Sequence, residues 1–365
     1  MSRNLLVTGG AGFIGSCFVS RQITAGERVL VLDNLTYAGH LVNLEQVLHS
    51  ADFSFVHGDI GDAEVVARCL KEFHPDAIVN FAAESHVDRS IHSAEDFVRT
   101  NVLGTEQLLR TTKDWWQGLK PEVRKDFRFL HISTDEVYGS LDKNSAPFTE
   151  NSSYAPNSPY SASKASSDFF VRSYFKTYGL PTLISNCSNN YGPRQYPEKL
   201  IPLMVLNAVS NKPLPIYGTG LNIRDWIYVE DHCAALDLIL SGGRIGEAYN
   251  IGGECEKSNL EIVQSIYKIL DEVKPKSDGT SYGTQIKFVA DRPGHDFRYA
   301  IDSAKIKKEL GWRPRHCFSE ALRKTVLWYL DNSEWTRQIM DEDYRKWLHQ
   351  QYQDFDSSKP LEQKD

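Results

Sequence analysis

The segment Thr8-Gly-Gly-Ala-Gly-Phe-Ile-Gly15 lies between a short apolar run, Leu5 to Thr8, and a stretch patterned as a helix. Gly9, Gly12 and Gly15 give GxxGxxG, and Gly10, Gly12 and Gly15 also satisfy GxGxxG. Glycines at that spacing allow a tight strand-to-helix turn and let the backbone approach a pyrophosphate, which then sits at the helix N-terminus. Glycine-rich turns alone are common. Here the next apolar run, Val29-Leu-Val-Leu32, ends in Asp33, about 20 residues past the glycines, where a carboxylate accepts hydrogen bonds from the adenine ribose hydroxyls. An acid in that place repels a ribose phosphate, so the combination predicts a dinucleotide fold that takes NAD rather than NADP. Asp59 and Ile60, after the third apolar run, are placed to hold the adenine, although an Asp there could equally cap a helix.

Short apolar runs recur at Leu5 to Thr8, Val29 to Leu32, Phe53 to Val56, Ala77 to Phe81, Phe129 to Ser133 and Thr182 to Ser185, each followed by room for a helix. That alternation predicts a doubly wound parallel α/β sheet covered on both faces. Residues 143 to 159 are rich in turn formers and read as a loop over the active face, before a helix from Tyr160 to Tyr178. After Asn186 the chain is richer in Pro and Gly, with helical stretches near 229–241, 258–272 and 318–331. Two lobes are expected: 1–185, binding the dinucleotide and carrying the catalytic residues, and a smaller α/β substrate lobe over 186–352. Some crossing of the chain between them is expected, and 353–365 is polar enough to fray.

With 41 Lys+Arg against 48 Asp+Glu in 365 residues, the net charge of −7 argues against nucleic acid or an anionic membrane as partner. It leaves room for a local basic pocket. Cys17, Cys69, Cys187, Cys233, Cys255 and Cys317 are scattered, with no metal-ligand spacing, so free thiols and no metal are expected. No apolar run is long enough to span a bilayer and no signal core follows the N-terminus, which predicts a cytoplasmic protein.

Tyr160-Ser-Ala-Ser-Lys164 is YxxxK, and on a helix those two residues share a face, so the ammonium can sit near the phenol. A fixed positive charge favours the phenolate and makes tyrosine a usable base. The pattern alone means little. With the glycine turn, Asp33 and Ser133-Thr134 at a strand end, it resembles the extended short-chain dehydrogenase/reductase superfamily, whose core is a Rossmann-type sheet. Within it, Ser133-Thr-Asp-Glu-Val-Tyr-Gly139 carries adjacent carboxylates where the related sugar 4-epimerases have small or neutral residues. Two like charges this close push one pKa up, and an acid beside a base is what elimination of water requires. On the residues alone, a capping Asp135 and a solvated Glu136 explain the pair as well. Further segments decide for the dTDP-glucose 4,6-dehydratase family, which the chain resembles from about Asn4 to Asp331: Ala83-Glu-Ser-His-Val-Asp-Arg-Ser90, Thr100-Asn-Val-Leu-Gly-Thr105, Ser158 to Asp168, Asn186-Cys-Ser-Asn-Asn-Tyr-Gly-Pro193, Pro197-Glu-Lys-Leu-Ile-Pro202, Arg224-Asp-Trp226 and Asp291-Arg-Pro-Gly-His-Asp296. Arg194-Gln-Tyr196 departs from the family's usual aromatic, polar, Phe order.

The resemblance implies a tightly bound NAD that oxidises the glucose C4 hydroxyl, loss of water across C5 and C6, and return of hydride to C6. It implies that Tyr160 takes the O4 proton, helped by Lys164, that Thr134 orients O4, that Glu136 removes the C5 proton and that Asp135, held protonated, delivers one to O6. Consecutive strand residues point to opposite faces, so Thr134 to Glu136 must already be leaving the strand if all three reach one sugar. By the same resemblance Gly9, Gly12, Phe13, Ile14, Gly15, Asp33, Asn34, Leu35, Thr36, Asp59, Ile60, Ala82, Ala83, Ser85, Thr100, Tyr160, Lys164 and Asn190 face the cofactor. Glu84, Ser85, Thr134 and Asn189 face the sugar, and Lys199, Leu200, Pro215, Ile216, Tyr217, Arg224, Asn259, Arg292, His295 and Tyr352 the nucleotide diphosphate. Guanidinium groups suit phosphate oxygens, although either Arg could instead make a structural ion pair. A homodimer through Thr105 to Trp116 and Tyr160 to Tyr178 is also implied. A 4-epimerase on the same scaffold, or a non-catalytic NAD-binding protein, are the competing readings; the adjacent acids count against the first and the retained Tyr160 and Lys164 against the second.

Overall fold

The computed structural model describes residues 2–340, so Tyr352 and the 353–365 tail lie outside the described residues. Twelve strands occur among them: β1 (Asn4–Thr8), β2 (Arg28–Asp33), β3 (Phe53–His57), β4 (Ala77–Asn80), β5 (Arg128–Thr134), β6 (Thr182–Cys187), β7 (Asn189–Tyr191), β8 (Leu214–Tyr217), β9 (Ile223–Tyr228), β10 (Ala248–Ile251), β11 (Glu256–Ser258) and β12 (Ile286–Val289). Seven form one parallel sheet in the order β10-β6-β5-β4-β1-β2-β3. The apolar runs are continuous because the sheet is buried on both faces. Leu5, Val7, Val29 and Val31 pack against Phe18 and Val19 on one side, and Leu6, Leu30, Leu32 and Ile78 against Val66, Leu70 and Leu109 on the other. β1 has β2 on one flank and β4 on the other, so connections leave it in opposite directions and a crevice opens at the strands' carboxyl ends.

The Pro159–Tyr178 helix starts one residue before the expected Tyr160. Ser158 caps it in a reciprocal capping box with Ser161, and Pro159 takes the first turn, where its missing N–H costs nothing. It ends at Gly179 in the left-handed region, φ 73°. Ser258 and Glu261 make a second capping box at the Asn259–Val273 helix. β6 runs two residues past the expected Ser185, because Asn186 and Cys187 still pair with Ser133 and Thr134.

Beyond Asn186 a three-stranded sheet, β11-β9-β7, and the β12-β8 pair enclose a separate core with Tyr191, Met204, Trp226, Ile262 and Val326. The chain also returns to the first lobe. β10 is the edge strand beside β6, and the Val229–Gly242 helix packs Leu236 and Ile239 into the core under β1. The loop over 143–159 corrects the expectation that it covers the active face. Phe148 stacks on Tyr138 and Tyr154 meets it edge-on, at 5.3 and 5.2 Å between ring centres, and Phe148 bridges to Ile301, so the loop braces the turn that follows β5.

Candidate active site

The glycine turn closes on the end of β4. Gly9 has φ +67°, and a Cβ there would lie 2.5 Å from the Ala82 nitrogen, while one on Gly15 would collide with the Gly9 carbonyl. The turn therefore leaves space only for backbone, which is the cradle a pyrophosphate needs at the N-terminus of the Phe13–Thr24 helix. At the end of β2 the Asp33 carboxylate accepts from the Ala11 and Leu35 amides, each at 2.8 Å. These bonds fix its orientation, and each oxygen keeps a lone pair toward the cleft. Asp59 accepts from Asn34 Nδ2 at 3.1 Å and from the Gly61 amide at 2.7 Å, while Asp62 caps the following helix, so Asp59 is free of that duty. Gly9, Gly12, Phe13, Ile14, Gly15, Asp33, Asn34, Thr36, Asp59, Ile60, Ala82, Ala83, Ser85, Thr100, Tyr160, Lys164 and Asn190 all line one long cleft. The site fits a dinucleotide. Leu35 does not line it: with φ 50° it turns its side chain into the core beneath β1. Gly9→Ala forces an L residue into the left-handed region, at about 1–2 kcal/mol before the clash with Ala82 is counted. Purified Gly9→Ala protein is expected to carry little or no NAD, checked by nucleotide content after denaturation.

The turn at the end of β5 is a single 3₁₀ turn, Asp135–Tyr138, with Thr134 as its N-cap; the Thr134 hydroxyl accepts from the Glu136 amide at 3.3 Å. The chain thus leaves the strand where the three residues require it to. Asp135 is not the cap. It is buried with Oδ2 unpartnered among the described residues, and burial, then the Glu136 and Asp225 charges, raise its carboxyl well above the usual range. Glu136 is also raised by burial, but Arg292, Lys199 and Arg224 pull it back toward the carboxylate. Both acids are thus raised by burial, Asp135 further by its negative neighbours, while three cations oppose the rise at Glu136. Burial raises the Tyr160 phenol, Glu136 adds to this, and the Thr134 hydroxyl opposes it through a hydrogen bond. The Lys164 ammonium donates to the Ile132 carbonyl at 2.8 Å and stands 3.3 Å from His131 Nε2. It bonds the strand beneath rather than the phenol itself, because a buried ammonium needs fixed acceptors. Burial lowers it to about 8.

A second cavity adjoins the first. Lys199, Leu200, Pro215, Ile216, Tyr217, Arg224, Asn259, Arg292 and His295 line it, and Glu84, Ser85, Thr134 and Asn189 line the first. Glu136, Asn189, Glu198 and Lys199 border both, which puts Glu136 at the junction. Arg224 makes no ion pair among the described residues: its guanidinium donates to the carbonyls of Ile223, Asp296 and Phe297 and lies 4.2 Å from the Tyr299 ring centre. Arg292 does make an ion pair, with Asp88 at 3.2 Å, and its buried Nε keeps an unused donor. His295 Nδ1 donates to Asp291 Oδ1, 2.7 Å away. Lys199 Nζ reaches the Ser85 carbonyl at 2.7 Å, tying the two cavities' walls together. Glu84 is held through its backbone by Asn101, and burial raises its carboxyl to about 7. Tyr196 keeps the aromatic role of its segment by stacking on His40 and meeting Tyr37 edge-on.

The sequence reading missed Asp88, Glu198 and Tyr299. All three lie in or beside the motifs used for the resemblance, yet only the partners Arg292, Arg89 and Arg224, contributed by distant segments, reveal what they do. Among the described residues the six cysteines are free, no group of side chains could hold a metal ion, and no helix is long and apolar enough to cross a membrane.

Residues 6–325 match the profile of the family described as GDP-mannose 4,6 dehydratase. A dTDP-glucose 4,6-dehydratase of Xanthomonas campestris pv. campestris is 54% identical over 341 residues, covering 93% of this chain and 97% of the relative. Among solved structures, the dTDP-glucose 4,6-dehydratase of Bacillus anthracis in complex with NAD superposes with a TM-score of 0.82 at 45% identity, over 93% of this chain and all of that one. DesIV, the dTDP-glucose 4,6-dehydratase of Streptomyces venezuelae with NAD and TYD bound, gives 0.82 at 49% identity, over 91% and 98%. The glycine cradle, the buried pair of adjacent acids and these near full-length matches agree, and the chain belongs to the dTDP-glucose 4,6-dehydratase family.

Proposed function

We propose that the protein converts dTDP-glucose to dTDP-4-keto-6-deoxyglucose and water. The observation that carries this is the pair of buried adjacent acids, Asp135 lining the first cavity and Glu136 bordering both, with the Asp135 carboxyl raised well above the usual range and the rise at Glu136 opposed by Arg292, Lys199 and Arg224. NAD, when bound in the glycine cleft, supplies a hydride acceptor for C4 and later a donor for C6. Tyr160 takes the O4 proton while the Thr134 hydroxyl orients O4. The C4 ketone acidifies the neighbouring C5–H. Glu136 removes that proton, Asp135 hands its own to O6 as water leaves, and Glu136 then returns a proton to C5. Lys199, Arg224 and Arg292 supply positive charge for the diphosphate. A 4-epimerase needs neither C5 proton transfer nor an acid at O6, and would leave both carboxyls without work.

The test uses protein with only its copurifying nucleotide, incubated with dTDP-glucose and separately with UDP-glucose, and read by mass and proton NMR. Loss of one water with a new C6 methyl group, faster on the dTDP sugar, is expected. Unchanged mass with inversion at C4 would make it an epimerase.

We further propose a cytoplasmic homodimer, with the cofactor and catalytic residues on the 1–185 lobe and the nucleotide sugar held by the rest. The dimer reading is supported by apolar side chains that stay exposed on the Pro159–Tyr178 helix and on the Val98–Gly104 segment that leads into the Thr105–Gln117 helix: Leu103 is 61% and Phe169 58% exposed, and Val98, Phe170 and Tyr178 are exposed as well. Such a surface suits an isologous interface. Light scattering is expected to give twice the chain mass, and Phe169→Glu with Phe170→Glu to give the chain mass alone.

A further inference from the structure

Beneath the catalytic helix lies a run of buried polar side chains of which the reaction so far uses only Lys164. Thr8, Asn80, His131, Lys164 and Asp168 come from β1, β4, β5 and the Pro159–Tyr178 helix, and all are buried. The Thr8 hydroxyl donates to Asn80 Oδ1 at 2.6 Å, so the Asn80 amide nitrogen faces His131 Nδ1 at 3.1 Å. Burial, with Lys164 alongside, keeps His131 neutral. Its Nε2 lies between the two ionisable groups of the helix, 3.3 Å from Lys164 Nζ and 3.5 Å from Asp168 Oδ1, a carboxylate oxygen with no hydrogen-bond partner among the described residues. Asp168 Oδ2 accepts from the Ser133 hydroxyl at 2.8 Å, the Tyr154 hydroxyl at 3.0 Å and the Asn186 amide at 3.4 Å.

Lys164 and Asp168 are four residues apart and share one helix face. A buried ammonium without a counter-charge gives up its proton. We propose that Asp168, oriented by Ser133, Tyr154 and the neutral His131, is a positioning residue for the reaction: it keeps Lys164 charged and through Lys164 sets the pH above which Tyr160 stops working. Burial raises Asp168 to about 6, with Lys164 and the three hydrogen bonds opposing, and Lys164 stands at about 8 even with Asp168 in place. The titratable groups facing the pair are Tyr160 on the same helix, His131 on β5, Cys187 on β6, Asp135, Glu136 and Tyr138 on the turn, and Tyr154 on the loop. Lys164 works protonated, so activity falls as pH rises through its pKa, and loss of the Asp168 charge brings that fall to lower pH.

The inference rests on the roles given above to Tyr160 and Lys164. In the Asp168→Asn holoenzyme the alkaline limb of kcat is expected to move down by about 1–2 pH units, with KM for dTDP-glucose held within about twofold, less than one ordinary hydrogen bond is worth. Bound NAD is expected to leave that variant faster on dilution above neutral pH, where Lys164 has lost its charge. Asp168→Glu is expected to restore the limb. A kcat lowered equally at every pH, or unchanged, with NAD release unaltered, would overturn the proposal and leave Asp168 a structural residue. Should Asp168→Asn not fold, Tyr154→Phe removes one hydrogen bond from the carboxylate and is expected to move the same limb less far in the same direction; an unmoved limb overturns the proposal. A Tyr160→Phe variant with full turnover would instead sink the reading of Tyr160 itself.

Discussion

Replacing Tyr160 with phenylalanine is expected to lower the rate of C4 oxidation by about 10²–10⁴, the range a positioned general base contributes. The loss should fall on chemistry, because the ring's packing survives. Tyr160 stands edge-on to Phe97, 6.2 Å between centres, and the helix start beside it is held by the Ser158–Ser161 capping box, neither of which needs the hydroxyl. Binding loses at most one hydrogen bond, about 0.5–1.5 kcal/mol, so substrate affinity should fall by about tenfold or less. The measurement is a single turnover with excess enzyme, following the absorbance of reduced nicotinamide together with a binding titration on the same protein. A wild-type rate of nicotinamide reduction would remove Tyr160 from its role.

Glu136→Gln separates the two halves of the reaction. Thr134, Tyr160 and Lys164 remain, so the sugar is still oxidised at C4. Without the carboxylate, exchange of the C5 proton with solvent deuterium is expected to drop by about 10²–10⁴, and reduced nicotinamide should persist on the enzyme. The charge balance adds a second signature. Arg292, Lys199 and Arg224 face Glu136, and removing its charge leaves them more positive toward a diphosphate. KM for the sugar nucleotide is therefore expected to stay level or fall while kcat collapses. Full C5 exchange in the Gln variant would take Glu136 out of the mechanism, and a rise in KM with kcat intact would make it a binding residue only.

Much of the first lobe is legible in the sequence. The glycine turn, the apolar runs and the Asp closing β2 are local signals, since each reports a contact between residues close in the chain or a strand buried on both faces. Nearly every residue assigned to the cofactor or the nucleotide lines the cleft or the adjoining cavity, because the motifs that carried the resemblance are those that line the site. Leu35 fails for a local reason that hydrophobicity alone does not reveal: Asp33 draws the Leu35 amide to its own carboxylate, and the backbone turns through a positive φ that sends the side chain inward. The loop over 143–159 was misjudged because polar composition marks a loop but says nothing about which side it covers. Its aromatic residues find their partners in distant segments, Phe148 at Tyr138 and Ile301, and Tyr154 at Tyr138, Phe169 and Asp168.

By itself the sequence determined the dinucleotide turn, the parallel sheet, the five side chains proposed for catalysis and the need for the chain to leave β5 at Thr134. It could not say how the surroundings of Asp135 and Glu136 differ. That difference comes from Arg292, Lys199 and Arg224 reaching Glu136 from three distant segments while Asp135 is buried beside Asp225. Nor could it place Asp168 opposite Lys164 and His131, or return the chain after Asn186 to the sheet as β10. Local pattern encodes where backbone turns and which face is apolar. Protonation depends on desolvation and on charges within a few ångströms in space, and only tertiary packing brings those together.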